Sequence, residues 1–324
     1  MTVLDTTPPA PPPPGVPHAP PPPGVPPAAP PPGVPHAGPP RYRPERPALV
    51  MAGQMLAILG AVLLCFVAQL TLLGGLKHER DQNSAYNAFR TDLAKATAPV
   101  TALDGGGRLL DSGTPVAIIE IPRLRLQEVV LEGTSARTLK SGPGHVRNTP
   151  LPGQSGTSQI LGRKASYGGP FAEIDKLRQG DEIVITTGQG EHRYLVQGVR
   201  RANDKERTAP AGEGRLTLAT ADGSYFLPTD IIRVDARLVS EVQAKTRQLP
   251  AFAVADNERA MVGDRSALVP IALWTLILAA AAVAAVYIRQ RVGRWQAWVI
   301  GVPVVGAVSL TLADQAAALL PNLM

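Results

Sequence analysis

The sequence predicts a mainly β domain, a closed barrel or sandwich of seven or eight short strands, carried by three membrane helices. Three observations lead there. Between residues 116 and 238, seven runs rich in Val, Ile, Leu and Thr are bounded by Gly, Pro, Asn and Asp, which is the pattern of short strands joined by turns. Such strands, with short helical crossings in roughly 120 residues, suit a barrel or sandwich. Three apolar stretches, residues 48–76, 266–288 and 295–316, are long enough to span a hydrocarbon layer. Ahead of them all lies a Pro-rich segment with no material for a core.

Residues 1–47 repeat "PPPGVP" three times at a period of nine, with Gly15, Gly24 and Gly33 in equivalent places. Such a segment is expected to be a disordered, polyproline-rich tail, either a solvated spacer or a ligand for an aromatic groove in a cytoplasmic partner. The first apolar stretch, 48–76, has Gln54 and Gln69 as its strongly polar members. It is too long and too far from Met1 for a removable signal. Residues 77–115 follow as a juxtamembrane helix and linker, with Tyr86, Phe89 and Leu93 forming one apolar stripe. The strands are then expected at 116–122, 126–133, 158–164, 181–187, 192–201, 215–221 and 231–238, within a domain of residues 116–240. "TGQGEH" (Thr187 to His192) reads as a hairpin turn. Residues 135–142 and 170–180 read as short helices; in the second, Phe171, Ile174 and Leu177 share a face and Gly180 suits the C-cap. A linker, 241–265, leads back to two closing spans, 266–288 and 295–316, with Asp314 near the end of the last.

Charge placement orients the chain. Between Lys77 and Arg265 there are 26 Lys+Arg against 23 Asp+Glu, nearly balanced. The other six basic residues are Arg41, Arg43 and Arg46 before the first span, and Arg289, Arg291 and Arg294 between the last two. The positive-inside rule puts both clusters in the cytoplasm, hence the β domain outside a multi-pass plasma-membrane protein. Because these arginines adjoin apolar spans, nucleic-acid binding is not expected. The single cysteine, Cys65, lies inside the first span, so an internal disulfide is excluded; five scattered His show no metal-ligand spacing. No cofactor is implied.

Three strings in the β region resemble one family: "IEIPRLRLQEVVLEG" (Ile119 to Gly133), "LKSGPGHVRNTPLPGQSGTSQILGRKASYGGPF" (Leu139 to Phe171) and "DKLRQGDEIVITTGQGEHRYLV" (Asp175 to Val196). In order and spacing they resemble the sortases, and the class E actinobacterial sortases most closely. The resemblance covers about residues 116–238. It implies a sortase-like closed β-barrel of about eight strands, displayed on a Gram-positive cell envelope. Sortases are transpeptidases that cut a sorting signal and pass it to an amine. A Cys thiolate attacks, a His supplies the leaving amine with its proton, and an Arg stabilises the oxyanion. Carried over by position, the family's Gly-His falls on Gly162-Arg163 and its Thr-Cys on Thr220-Ala221. The family Arg falls on Ile231, with Arg233 on the same strand face as a displaced candidate. The resemblance therefore implies vestigial positions at Arg163, Ala221 and Ile231 and no catalytic residue.

His145, Arg163, Lys164, Tyr167 and Ser224 remain as candidates to line a groove or hold a ligand. For Arg163 and Lys164 the simplest expectation is a solvated rim; the sharper one is that Arg163 fills the vacated site and grips a carboxylate. Tyr167 and Phe171 are expected to pack rather than to stack on a ligand. A relocated nucleophile would have to be Ser224, Ser158 or Ser166, with His145 as base. Three functions compete: an inactive module that binds extended peptides or cell-wall proteins, a cysteine-independent transpeptidase or hydrolase, and a structural subunit of a membrane complex.

Overall fold

The computed structural model describes residue 56 and residues 60–104, 108–201, 204, 210–224, 228–291 and 294–324, all within one compact unit, Gly53–Met324. The Pro-rich repeat of residues 1–47 and residues 48–55 and 57–59 of the first apolar stretch lie outside the described residues.

Eight strands close into a barrel: β1 (Pro115–Ile121), β2 (Leu126–Glu132), β3 (Gly144–His145), β4 (Gly156–Leu161), β5 (Glu182–Thr187), β6 (Gly190–Arg200), β7 (Gly214–Gly223) and β8 (Pro228–Leu238). Their order around the barrel is β1-β2-β3-β4-β7-β8-β6-β5. β2–β3 and β4–β7 pair in parallel, and the other neighbours are antiparallel. All seven expected strands form. The eighth, β3, is only Gly144–His145, too short to carry an alternation. Thr187 pairs with Gly190 across Gly188-Gln189, so the expected hairpin is a two-residue turn.

The interior is filled by alternate residues, among them Ile119, Ile121, Ile183, Ile185, Leu216, Leu218 and Val234. β1 is buried on both faces. Its outer Ile118 packs with Val129 and Leu131 of β2 against Phe89, flanked by Tyr86 and Leu93. These last three are the expected juxtamembrane stripe. They belong to α1 (Gly60–Ala94), a continuous helix that runs out of the first apolar stretch. Full burial of Phe89 contributes about 1.5–3 kcal/mol to that docking. Gln82 clamps it further: its Nε2 donates to the carbonyls of Val129 (3.1 Å) and Ser141 (2.8 Å), and its Oε1 accepts the Val129 N–H (2.6 Å).

The two expected short helices shrink. Residues 135–142 form one α turn, α2 (Thr138–Ser141), and residues 170–180 only a 3-10 turn, Ile174–Lys176. Phe171, Ile174 and Leu177 all enter the barrel core. Their spacing of three reflects plugging of the barrel end, which a 3-10 turn satisfies without an α-helix.

Among the described residues, three helices are long and apolar enough to cross a membrane: α1 and the regions Arg265–Ala285 and Val299–Ala316. The last two lie largely in α3 (Leu268–Arg291) and α4 (Arg294–Ala316). α1 contains one π turn, Gln69–Leu73, where the Gly74 N–H bonds the Gln69 carbonyl. The wider turn lets the Leu70 carbonyl accept the Tyr167 N–H from the barrel (3.2 Å).

His192 on β6 gives the barrel a pH dependence. Its ring is buried over Gly153, where even a Cβ would come within 2.3 Å, and its Nε2 lies 3.1 Å from Thr187 Oγ1. Burial holds its pKa below the ordinary 6.5. The unfolded chain therefore takes up this proton first, so the associated stability is present above pH 6.5 and is lost as pH falls below it. In thermal unfolding series, the loss of Tm on moving from neutral to mildly acidic pH should be smaller for His192→Gln than for the parent. Equal slopes would refute this.

Candidate functional site

The outer face of β4, β7 and β8 builds the site. Along β7, Leu216 and Leu218 point into the barrel, so Ala219 and Ala221 point out. Leu161 at the end of β4 pairs with Ala219, and Ala221 pairs with Ile231 on β8. The Gly162 N–H donates to the Ala219 carbonyl (3.0 Å) and Thr220 Oγ1 donates to the Gly162 carbonyl (2.8 Å). These bonds carry the ladder one residue beyond β4 and bring Arg163 toward the end of β7 that carries Ala221.

The face is covered by the chain itself. Leu323 is buried among Leu139, Leu161, Ala219 and Ala221, with Ile231 packed at the edge. The Leu323 carbonyl accepts the Lys164 N–H (3.0 Å). The Met324 carbonyl accepts from Arg163 Nη1 (3.0 Å) and from Ser166 Oγ (2.6 Å). Asn322, also buried, donates through Nδ2 to the carbonyls of Thr134 (2.8 Å) and Arg259 (3.0 Å).

Arg163 is therefore not part of a solvated rim. It is fully buried. Its Nη1 also donates to Ser166 Oγ (2.9 Å) and its Nη2 to the Ala136 carbonyl (3.0 Å). The guanidinium meets main-chain oxygens of Met324 and Ala136 and the Ser166 hydroxyl. Burial pulls its pKa down to about 10, so it stays protonated at neutral pH and has no proton to trade there. Lys164 is half-buried and its Nζ caps the Gly223 carbonyl (2.9 Å).

Tyr167 packs, as expected, in a cluster with Leu70 and Ala317. It also links the barrel to the helices: its Oη donates to Asp314 Oδ1 on α4 (2.8 Å). Asp314 Oδ1 further accepts from Lys140 Nζ (3.2 Å) and from Gln69 Nε2 on α1 (3.4 Å). The Tyr167 ring lies under both cations, 5.1 Å from Lys140 Nζ and 5.2 Å from the Arg163 guanidinium carbon. Burial and the Asp314 carboxylate push the Tyr167 hydroxyl well above its usual range, and burial lowers Lys140. Lys140 and Gln69 are the members sequence reasoning missed. The available signal was polar Gln69 and acidic Asp314, both inside apolar stretches, where such groups find partners.

His145 has both ring nitrogens engaged: Nδ1 with Glu132 Oε2 (2.9 Å), Nε2 with the Pro150 carbonyl (3.0 Å) and Thr149 Oγ1 (3.2 Å). It has no nitrogen left to activate a serine. Ser158 is buried in β4 and Ser166 serves Arg163 and Met324, while Ser224 is exposed past the end of β7. Arg233 shares its strand face with Ile231 and pairs with Ala219 and Arg200 across the ladders. Among the described residues, no three His, Cys, Asp or Glu stand close enough together to hold a metal.

Residues 119–239 match the family model described as a sortase domain. These residues form a sortase domain. Curated relatives include Sortase A of Bacillus anthracis, 29% identical over 170 residues (50% of this chain, 76% of that protein). Sortase SrtE2 of Streptomyces coelicolor is 25% identical over 169 residues (49% of this chain, 66% of that protein). Among solved structures, sortase E of Streptomyces avermitilis is 30% identical, covering 46% of this chain and all of that one, with a TM-score of 0.34. A Clostridium perfringens sortase D5 transpeptidase is 23% identical (50% of this chain, 98% of that one; TM-score 0.40). In this sortase domain the strand that the resemblance assigns to the nucleophile, β7, carries Ala221 against Ile231, beside Leu323.

Proposed function

We propose that the chain is a membrane-anchored sortase domain that binds extended peptide segments of cell-envelope proteins without cutting them. The observation that carries this reading is the outer face of β7: Ala221, in the nucleophile's place, is a methyl group inside an apolar slot. Next to it, Arg163 and the Lys164 N–H are spent on main-chain oxygens of Met324 and Leu323. A methyl has no lone pair to attack an acyl group, and a guanidinium that stays protonated at neutral pH cannot protonate a leaving amine. The same features suit an extended peptide: a slot for one apolar side chain flanked by donors to successive carbonyls. The placement of Arg41, Arg43, Arg46, Arg289, Arg291 and Arg294 supports a cytoplasmic N-terminus and an external barrel, with the Pro-rich segment reaching an inner partner.

The test is a transfer assay on the full-length chain in detergent or nanodiscs. Wild type should show no transfer of a sorting-signal peptide to an amine, and Ala221→Cys should show none either. Transfer by wild type that disappears in Ser224→Ala would refute the reading.

A further inference from the structure

The segment that follows α4 turns into the groove: the Met324 N–H donates to the Pro321 carbonyl (3.0 Å), and the turn presents Leu323 to the slot. Leu323 fills the apolar slot on Ala221, two successive carbonyls are bonded by the Lys164 N–H and Arg163, and Asn322 ties the entry to Thr134 and Arg259. A fully buried guanidinium is costly unless oxygens of the protein replace its water. Here Met324 supplies one of the two carbonyls that do so and Ala136 the other. The occupant therefore supplies part of what replaces water around Arg163, whose Nε has no hydrogen-bond partner among the described residues. It is also delivered in a fixed place: Ala317 packs on Leu70 and Tyr167, the Asp264 N–H bonds the Ala318 carbonyl (2.8 Å), and Asp314 is bonded by Lys140 and Tyr167.

From this we infer that residues 320–324 are a ligand of the groove supplied in cis, and that they exclude peptides in trans until displaced. The inference rests on the peptide-binding reading above and adds its regulation. A tethered occupant competes at an effective concentration in the millimolar range, so a free peptide of the same sequence is at a large disadvantage against it. Displacement must also break the Arg163 and Ser166 bonds to Met324, which converge on one oxygen.

Two measurements on the full-length chain in nanodiscs test this. In a Cys65→Ser background, the pair Ala221→Cys and Leu323→Cys should form an intramolecular disulfide on mild oxidation, and excess peptide of sequence ALLPNLM (residues 318–324) should slow it. A fluorescent copy of that peptide should bind Leu323→Asp at least tenfold more tightly than wild type, because an aspartate does not enter the apolar slot. Absence of the disulfide, with the peptide binding wild type directly, overturns the inference and leaves the peptide-binding reading standing. A disulfide with equal binding to wild type and Leu323→Asp overturns the exclusion. A disulfide with no binding to either protein overturns the peptide-binding reading, and the inference with it.

Discussion

Asp235→Ala is expected to destabilise the barrel by about 3–5 kcal/mol, the range for removing one partner of a buried ion pair. Asp235 on β8 is buried and receives both Nε and Nη2 of Arg200 from β6, a two-pronged contact, with Thr217 Oγ1 of β7 donating to the same Oδ1 at 3.0 Å. One carboxylate thus joins three adjacent strands. Without it, the Arg200 guanidinium loses its Nε and Nη2 bonds in a largely buried site, and part of its desolvation is no longer offset. For a domain of this size the Tm should fall by on the order of 10 °C or more. The control is the double change Arg200→Met with Asp235→Leu, which removes the charges together and should recover most of the loss. Circular dichroism melts of the three proteins in detergent decide it. A single variant that melts with the parent would show that the pair is dispensable.

Asp314→Ala should have the second-largest effect, about 2–3 kcal/mol, less than a fully buried carboxylate because the Asp314 side chain is 27% exposed. The carboxylate is the anion between Lys140 and the Tyr167 hydroxyl, with Gln69 also bonded to it and Arg163 over the same aromatic ring as Lys140. Removing it leaves Lys140 and Arg163, two buried cations, sharing one ring without a counter-charge. The junction between barrel and helices should loosen first, because these contacts join α1, α2, α4 and the loop after β4. Hydrogen exchange at Lys140 and at residues 164–169 should rise while the β5–β6 hairpin stays protected. Lys140→Met in the same chain should restore protection, since it removes the stranded ammonium. Unchanged exchange in Asp314→Ala would refute the role of the junction.

The barrel was legible because its evidence is local. Alternating Val, Ile and Leu in β5 through β8 report a half-buried pleat, and Gly188-Gln189 between paired Thr187 and Gly190 reports a two-residue turn. β3 was not legible, because two residues held between β2 and β4 have no period. The helix expected at 170–180 failed for the opposite reason. Its period is real, but Phe171, Ile174 and Leu177 meet the barrel core, and three contacts spaced by three do not distinguish an α-helix from a 3-10 turn. The site was half legible. Ala221 and Ile231 could be set side by side by counting along two strands. The burial of Arg163 could not be foreseen, because its partners Ala136 and Met324 are 27 and 161 residues away.

What the sequence alone determined is composition at each position: three apolar stretches, a barrel's worth of strands, and a chain whose one cysteine lies within the first apolar stretch. No fold can add a thiol to Ala221, so that position's lack of a nucleophilic group is read from the chain without coordinates. What only the tertiary structure decided is environment. The same Arg163 would be a hydrated cation on an open rim or a buried donor to Met324 and Ala136, depending on whether residues 320–324 return to the groove. Sequence names the groups that can act. The free energy of each depends on which distant groups exclude its water, and that is settled only when the chain closes on itself.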